Sequence, residues 1–290
     1  MAALEALKNS LKNAGDIHGI VRTMKLMAAV RIKHYQKAEA GLEEYEAAVE
    51  RSFALLLKDA PGIVPDDGIK ADGITGVIVF GSDQGLAGSF NEQAARALTD
   101  YLAAEKISRE KLRICVMGHR LVRHLDDAGV SVDEKLGMPL SLPAASAHLR
   151  DLLAILNGWR KSHQFGKIIL IRNRMKNAVA GEGFVSELLP PSEERIAKMH
   201  SLTPEHGVRP LTTVSHETVV AALLDHYIFS GLFHGLIGSL RSENAVRLAA
   251  MQQAEKHIEE FLDELTLAFN QERQNQITDE IMDIVGAIPE

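Results

Sequence analysis

The chain has 290 residues, a formal net charge of −7 and a single cysteine, Cys115. This length holds a sizeable core and perhaps two domains. The negative balance argues against general nucleic-acid binding, and a lone cysteine inside an apolar run excludes an internal disulfide and fits a buried residue in a reducing compartment.

Residues 2–59 contain no proline, so a helix is expected from the start, with no short apolar signal core and no Arg/Ser-rich transit sequence. Leu7, Ala14, Val21, Ala28, Tyr35, Leu42, Val49 and Leu56 recur every seven residues. Leu4, Leu11, Ile17, Met24, Ala38, Tyr45 and Phe53 read as the alternate seam, its register drifting through Arg31 and Ile32. Heptads sustained this long predict a coiled coil. Gly15, Gly19 and Gly41 each weaken a helix by about 1 kcal/mol relative to alanine, and close approach of another helix would explain them.

Residues 61–73, rich in Pro, Gly and Asp, read as a linker. Residues 74–80, 113–117 and 167–172 are short apolar runs that predict buried strands, with 184–189 as a further strand. Helices are predicted over 91–106, 119–128 and 143–163, the last with Pro143 in its first turn, where proline is tolerated. Strand–helix alternation implies a parallel sheet with helices on its faces. Residues 192–216 read as polar and irregular.

From 217 to 285 proline is again absent. Ala254, Ile258, Phe261, Leu265 and Ala268, continued by Ile277, Ile281 and Ile284, predict one apolar stripe on a helix about 100 Å long at roughly 1.5 Å per residue. Residues 219–240 are apolar enough to raise a membrane span, but Asp225, His226 and His234 lie within them, and an acid at a membrane-helix centre costs about 2.5–3.5 kcal/mol. A helix covered by protein is expected instead. Lys8, Lys12, Arg22, Lys25, Arg31, Lys33 and Lys37 make one stretch of the first helix basic, while acids dominate from 255 onward. An antiparallel pair lays these stretches side by side, which selects orientation more than it adds stability. The expected organisation is therefore a coiled-coil helix at 1–59, an α/β domain at 74–205, and a coiled-coil helix at 217–286 that pairs with the first.

Chemistry-bearing motifs are few. Residues 81–89 (GSDQGLAGS) follow a strand and precede a helix, a context that can cradle phosphate. The loop lacks the P-loop lysine and the GxGxxG pattern, so a structural turn with Asn91 as helix N-cap is the better account. The twelve histidines form no HExxH and no Cys/His pair spacing, and no metal, cofactor or catalytic residue is expected.

The C-terminal run SENAVR (242–247), with Ala250, Met251, Leu265, Thr266, Leu267, Asn270, Arg273, Gln274, Ile277, Thr278 and EIMDIV (280–285), resembles the gamma subunit of rotary F-type ATP synthases. MKLMAA (24–29) resembles that family's N-terminal signature, and SDQGLAG (82–88) its internal SDRGLCG loop, with Gln84 and Ala87 replacing Arg and Cys. The resemblance implies a Rossmann-like domain beside an antiparallel coiled coil. That coiled coil would be the central shaft, which couples ion flow through the c-ring to ATP synthesis or hydrolysis in an alpha/beta hexamer. It implies contacts to the alpha and beta subunits through Met24, Lys25, Arg247, Arg273, Gln274 and Thr278. An apolar tip at Ile281, Ile284 and Val285 would turn in the hexamer's sleeve, and the foot would stand on the c-ring with the epsilon subunit. It further implies a peripheral place on the cytoplasmic face of a bacterial inner membrane, and no catalysis by the shaft itself. The departures leave open a housekeeping enzyme or a divergent second F-type ATPase. Two other classes compete: a phosphate-binding α/β enzyme using residues 81–89, and a coiled-coil scaffold with no rotary partner.

Overall fold

A computed structural model describes residues 2–59, 73–162, 165–176, 181–201 and 213–286. The linker expected at 61–73 falls, but for Gly73, outside the described residues. Helix α1 spans Ala2–Asp59 and α6 spans His216–Gly286. Between them come β1 (Ile74–Phe80), α2 (Phe90–Glu105), β2 (Leu112–Met117), α3 (His119–Asp127), β3 (Glu134–Leu136), α4 (Leu142–Ser162), β4 (Phe165–Met175), β5 (Gly181–Leu189) and α5 (Glu193–Ser201).

The chain divides into two units, and both terminal helices contribute to each: residues 1–30 with 247–290, and residues 31–246. In the larger unit the strands are ordered β3-β2-β1-β4-β5. The first four run parallel, and β5 returns antiparallel to β4. The sheet is thus mixed, not wholly parallel as the alternation implied. The antiparallel edge arises because β4 and β5 are joined by a short link instead of the crossover a parallel pair requires.

The strands are apolar throughout because both faces are covered. Val77, Val79, Ile114, Val116, Ile169 and Ile171 turn toward α2 and α3. Ile78, Phe80, Cys115, Met117, Ile168 and Leu170 turn to the other face, which packs with residues of α1, α4 and α6. Burial there, reinforced by Glu134, pushes the Cys115 thiol up to about 12, so it is an inert core residue. The short strand β3 and helix α5 were not foreseen. Strand β3 has three residues, two of them exposed, so it carries no apolar run. Helix α5 is held by Met199, buried in the core, and by Arg195 and Lys198, which contact the buried Glu50 carboxylate of α1 at 3.3 and 2.7 Å. Arg195 also lies 5.2 Å from the centre of the Tyr227 ring.

The apolar stretch of α6 is a core helix. Leu224, Tyr227, Leu232, Leu236, Ile237 and Leu240 are all buried in the larger unit. Its glycines sit against the sheet. A Cβ on Gly231 would stand 2.2 Å from Leu188 Cδ1, one on Gly235 2.9 Å from the Phe80 ring, and one on Gly238 2.6 Å from the Arg172 guanidinium. These three positions, spaced four and three apart, are what let α6 press onto β1, β4 and β5. Burial lowers the pKa of Arg172 there, while Glu39 works against that shift. By contrast, a Cβ on Gly15, Gly19 or Gly41 would meet nothing within 4 Å. Among the described residues, the close helix approach expected at those three positions is not found.

These two glycine sets should respond oppositely to substitution. Gly41→Ala is expected to raise unfolding free energy by about 0.5–1 kcal/mol, the helix-propensity difference. Gly235→Ala is expected to lower it by about 1–3 kcal/mol through overpacking. Urea unfolding of the full chain followed by circular dichroism measures both.

Candidate functional site on the terminal helices

The seam of α1 has a single register. The expected positions Ala14, Val21, Ala28, Tyr35, Leu42, Val49 and Leu56 are all buried. The second row does not drift as predicted. Leu4, Leu11, Met24, Ala38 and Phe53 are covered as expected, Ile17 faces solvent, and Tyr45, 36% exposed, meets His226 of α6 at 2.7 Å; the continuous covered row is Leu4, Leu11, His18, Lys25, Ile32, Glu39, Glu46 and Phe53. From Leu11 onward each follows a member of the first row by four residues, which is regular knobs-into-holes spacing. Its apolar members Leu4, Leu11, Ile32 and Phe53 are legible in the sequence, whereas His18, Lys25, Glu39 and Glu46 are not, because they are ionisable.

Those four carry the pairing. In the smaller unit, Lys25 hydrogen-bonds Glu255, and His18 lies 3.4 Å from Glu259. In the larger unit, Glu39 meets Arg241 at 2.6 Å and Glu46 meets His234 at 3.3 Å. Partner numbers fall as the α1 number rises, so in both units the two helices run antiparallel. The signs also exchange: α1 supplies the base in the first pair of rungs and the acid in the second. On α6 the helix face is correspondingly offset from the predicted stripe. Ile258 and Leu265 are partly covered as expected, but Phe261, Ile277 and Ile281 are exposed.

The resemblance-derived contact residues fall into two groups. Met24 is partly covered, Lys25 is spent on Glu255, and Arg247 is 3% exposed. Arg273, Gln274, Thr278 and Ile281 are exposed, and the Thr278 hydroxyl donates to the Gln274 carbonyl at 2.9 Å. Helix α6 continues through Ile284 and Val285, whose side chains lie outside what is described. Among the described residues one group has metal-ligand chemistry: His18, Glu255 and Glu259, with ligand atoms within 4.8 Å of one another. The Lys25 ammonium already sits on Glu255, so this cluster reads as a rung of the ionic seam.

The 81–89 loop is a built turn in the larger unit. Asp83 accepts the His119 amide on one carboxylate oxygen and the Met138 amide on the other, tying the ends of β1, β2 and β3 together. Asn91 does not cap α2, whose N-cap is Ser89 without a side-chain bond. Asn91 instead accepts from the Ser82 amide and donates to its hydroxyl, both at 2.9 Å. Gly118 has φ +113°, and a Cβ on it would stand 2.6 Å from the Ser82 amide nitrogen, so only glycine fits where α3 begins. Gln84 accepts a long 3.4 Å bond from Arg31 of α1.

The family described as ATP synthase matches residues 3–289. The chain belongs to the ATP synthase gamma family. The gamma chain of Nitrosospira multiformis is 25% identical over 292 residues, covering 99% of this chain and 98% of that one. The gamma chain of Nautilia profundicola is 26% identical over 296 residues, with the same coverage. Among solved structures, the rotor of the Euglena gracilis mitochondrial ATP synthase superposes with a TM-score of 0.62 at 13% identity, covering 95% of this chain and 99% of that one. The central stalk and c-ring structure from Tetrahymena thermophila gives 0.56 at 20% identity, covering 81% and 99%.

The Lys25 ammonium, hydrogen-bonded to Glu255, holds that carboxyl below its ordinary value of 4.5. A carboxyl with a depressed folded-state pKa contributes stability above its unfolded pKa and loses it as pH falls through the folded value. Acidification below about 4.5 should therefore weaken the α1–α6 pair in the smaller unit. Lys25→Met should lower the melting temperature at pH 7 and flatten its fall between neutral and acid pH. Thermal melts of both proteins across that range measure it, and parallel curves would contradict this account of the rung.

Proposed function

We propose that this gamma chain is the rotating shaft of an F-type ATP synthase, coupling ion flow through a c-ring to the catalytic sites of an alpha/beta hexamer. The observation that carries the reading is the apolar surface of the smaller unit. Ile17, Ile20, Leu26, Met27 and Val30 on α1, and Phe261, Leu267, Ile277, Ile281 and Met282 on α6, each expose about half or more of their surface. Ten large apolar side chains exposed on two paired helices call for an enclosing partner. An apolar surface also suits turning, because dispersion contacts are non-directional and none of them has to be broken as a set.

In this reading the two groups of contact residues divide the work. Lys25 and Arg247 hold the shaft together or sit inside it, which supports an indirect role. Arg273, Gln274 and Thr278 are exposed polar groups within the apolar surface, which supports direct contact with beta subunits at some rotor angles. Only an interaction that differs between angles shifts the cycle. Ile281, with Ile284 and Val285 beyond it, would bear on the hexamer's sleeve. The chain itself would make and break no bond, and its place would be peripheral, on the cytoplasmic face of a bacterial inner membrane. The c-ring and epsilon subunit would meet the foot.

A charge-assisted bond from Arg273 that becomes desolvated is worth about 1.5–3 kcal/mol, enough to change a rate tenfold at about 1.4 kcal/mol per decade. Arg273→Ala with Gln274→Ala should leave the complex assembled in a fixed ratio of one shaft to three alpha/beta pairs, while ATP hydrolysis and ion pumping both fall about tenfold. Arg273→Lys should restore activity only in part, because lysine lacks the planar fork. Wild-type rates in the correctly assembled double variant would remove these residues from the coupling contact. ATP turnover by the purified chain alone would place the protein in a different class.

A further inference from the structure

We propose that the cleft between the 81–89 loop and α3 binds a small sugar phosphate or nucleoside monophosphate, a role separate from that of the shaft. The cleft has a volume of about 460 Å³, within the range of small-molecule sites and too large for one phosphate group. It lies beyond the carboxyl ends of β1 and β2, on the loops that leave those strands.

A phosphate loop needs a cation, and residues 81–89 contain none. The fold supplies it from the next helix. Helix α3 buries Leu121, Val122 and Leu125, so its opposite side carries Arg120 and Arg123, both of which line the cleft with the loop residues Gly85 and Ser89. Arginines three apart on a helix have Cβ atoms about 5–6 Å from each other, close enough for both guanidiniums to grip one phosphate. Gly85 is part of this device. The Arg120 guanidinium atoms lie 3.2 Å from where a Gly85 Cβ would stand, so the group rests on the bare backbone of the loop.

The loop is also formed in advance. Asp83 ties it to the Met138 and His119 amides, Asn91 ties it to Ser82, and Leu86 is held at φ +62° with its side chain 58% exposed at the rim. A ligand therefore meets a loop whose ordering cost is already met. The lining also includes the carboxylates Glu92 and Asp127. They oppose a highly charged polyanion and offer acceptors for hydroxyl groups, as an acid does for a ribose in dinucleotide sites. One phosphate on a hydroxyl-bearing body satisfies both the arginines and the acids.

The test is calorimetric titration of the full chain, free of other subunits, with AMP, ribose 5-phosphate and adenosine. AMP and ribose 5-phosphate should bind saturably, one per chain, and adenosine should not. Arg120→Ala with Arg123→Ala should weaken AMP at least about tenfold, as should Gly85→Ala, while Arg96→Ala on the outer face of α2 changes nothing. Unaltered far-ultraviolet circular dichroism and melting temperature confirm that the variants are folded. In the nuclear magnetic resonance spectrum of the wild type, AMP should move the Gly85 and Gly88 amides. Absence of saturable binding at millimolar probe, equal binding of adenosine, or undiminished binding to the double arginine variant would each overturn the proposal.

Discussion

The structure depends on ionisable pairs set into a coiled-coil seam, with Lys25–Glu255 and Glu39–Arg241 as the charge pairs. Among the described residues, rungs at His18, Lys25, Glu39 and Glu46 join α1 to α6, and α1 supplies the base at Lys25 and the acid at Glu39. A wholly apolar seam would tolerate slippage by a heptad, since every position would find another apolar neighbour. With charges in the seam, a slip of one heptad takes Lys25 from Glu255 to Leu248 or Leu262 and leaves both ions without their partner, and a slip of two heptads carries Lys25 toward Arg241 or Glu39 toward Glu255, which opposes like charges. The energy of each rung is modest, but the penalty for misregister makes one alignment the preferred one.

That alignment decides what the rest of the chain can do. It allows Gly231, Gly235 and Gly238 to face Leu188, Phe80 and Arg172, so that the same helix serves as coiled-coil partner and as a layer of the α/β core. It also leaves Phe261, Ile277 and Ile281 on the outside of the paired helices. A residue one position away from a seam is on a different face, because each step turns a helix through about 100°. The distinction between a covered stripe and an exposed apolar one therefore rests on the register the rungs impose.

Much of this was legible before any coordinates. Proline-free ends, the seven-residue series from Ala14 to Leu56, and the apolar runs of β1, β2 and β4 all led to the right elements. What misled were residues whose chemistry and position disagree. Ile17 looks like a seam residue and is exposed, whereas His18 looks like a surface residue and faces Glu259. Phe261 was read into the stripe for the same reason, while the seam beside it holds Glu255. Residues 192–216 read as irregular, yet α5 forms at Glu193–Ser201 because Met199 enters the core and Glu50, far away in sequence, captures its cations. At the 81–89 loop the turn was foreseen but Asn91 was given the wrong task. Its bond to Ser82 depends on a close loop approach that no local pattern encodes. The arginines of the neighbouring cleft belong to α3, so a search confined to the loop's own residues could not find them.

The central claim is that charge in the seam sets one antiparallel register. The direct measurement is cross-linking of cysteine pairs at the rung positions with a short bifunctional maleimide, in the full chain with its inert Cys115 retained. Pairs at 25/255, 39/241 and 46/234 should cross-link efficiently, while the displaced pairs 25/241 and 39/255 should not. In the 46/234 cysteine protein, where positions 25 and 39 keep their own residues, Lys25→Glu with Glu39→Lys should then lower the cross-linking yield. Equal yields for matched and displaced pairs, or a 46/234 yield that survives charge reversal unchanged, would contradict the account.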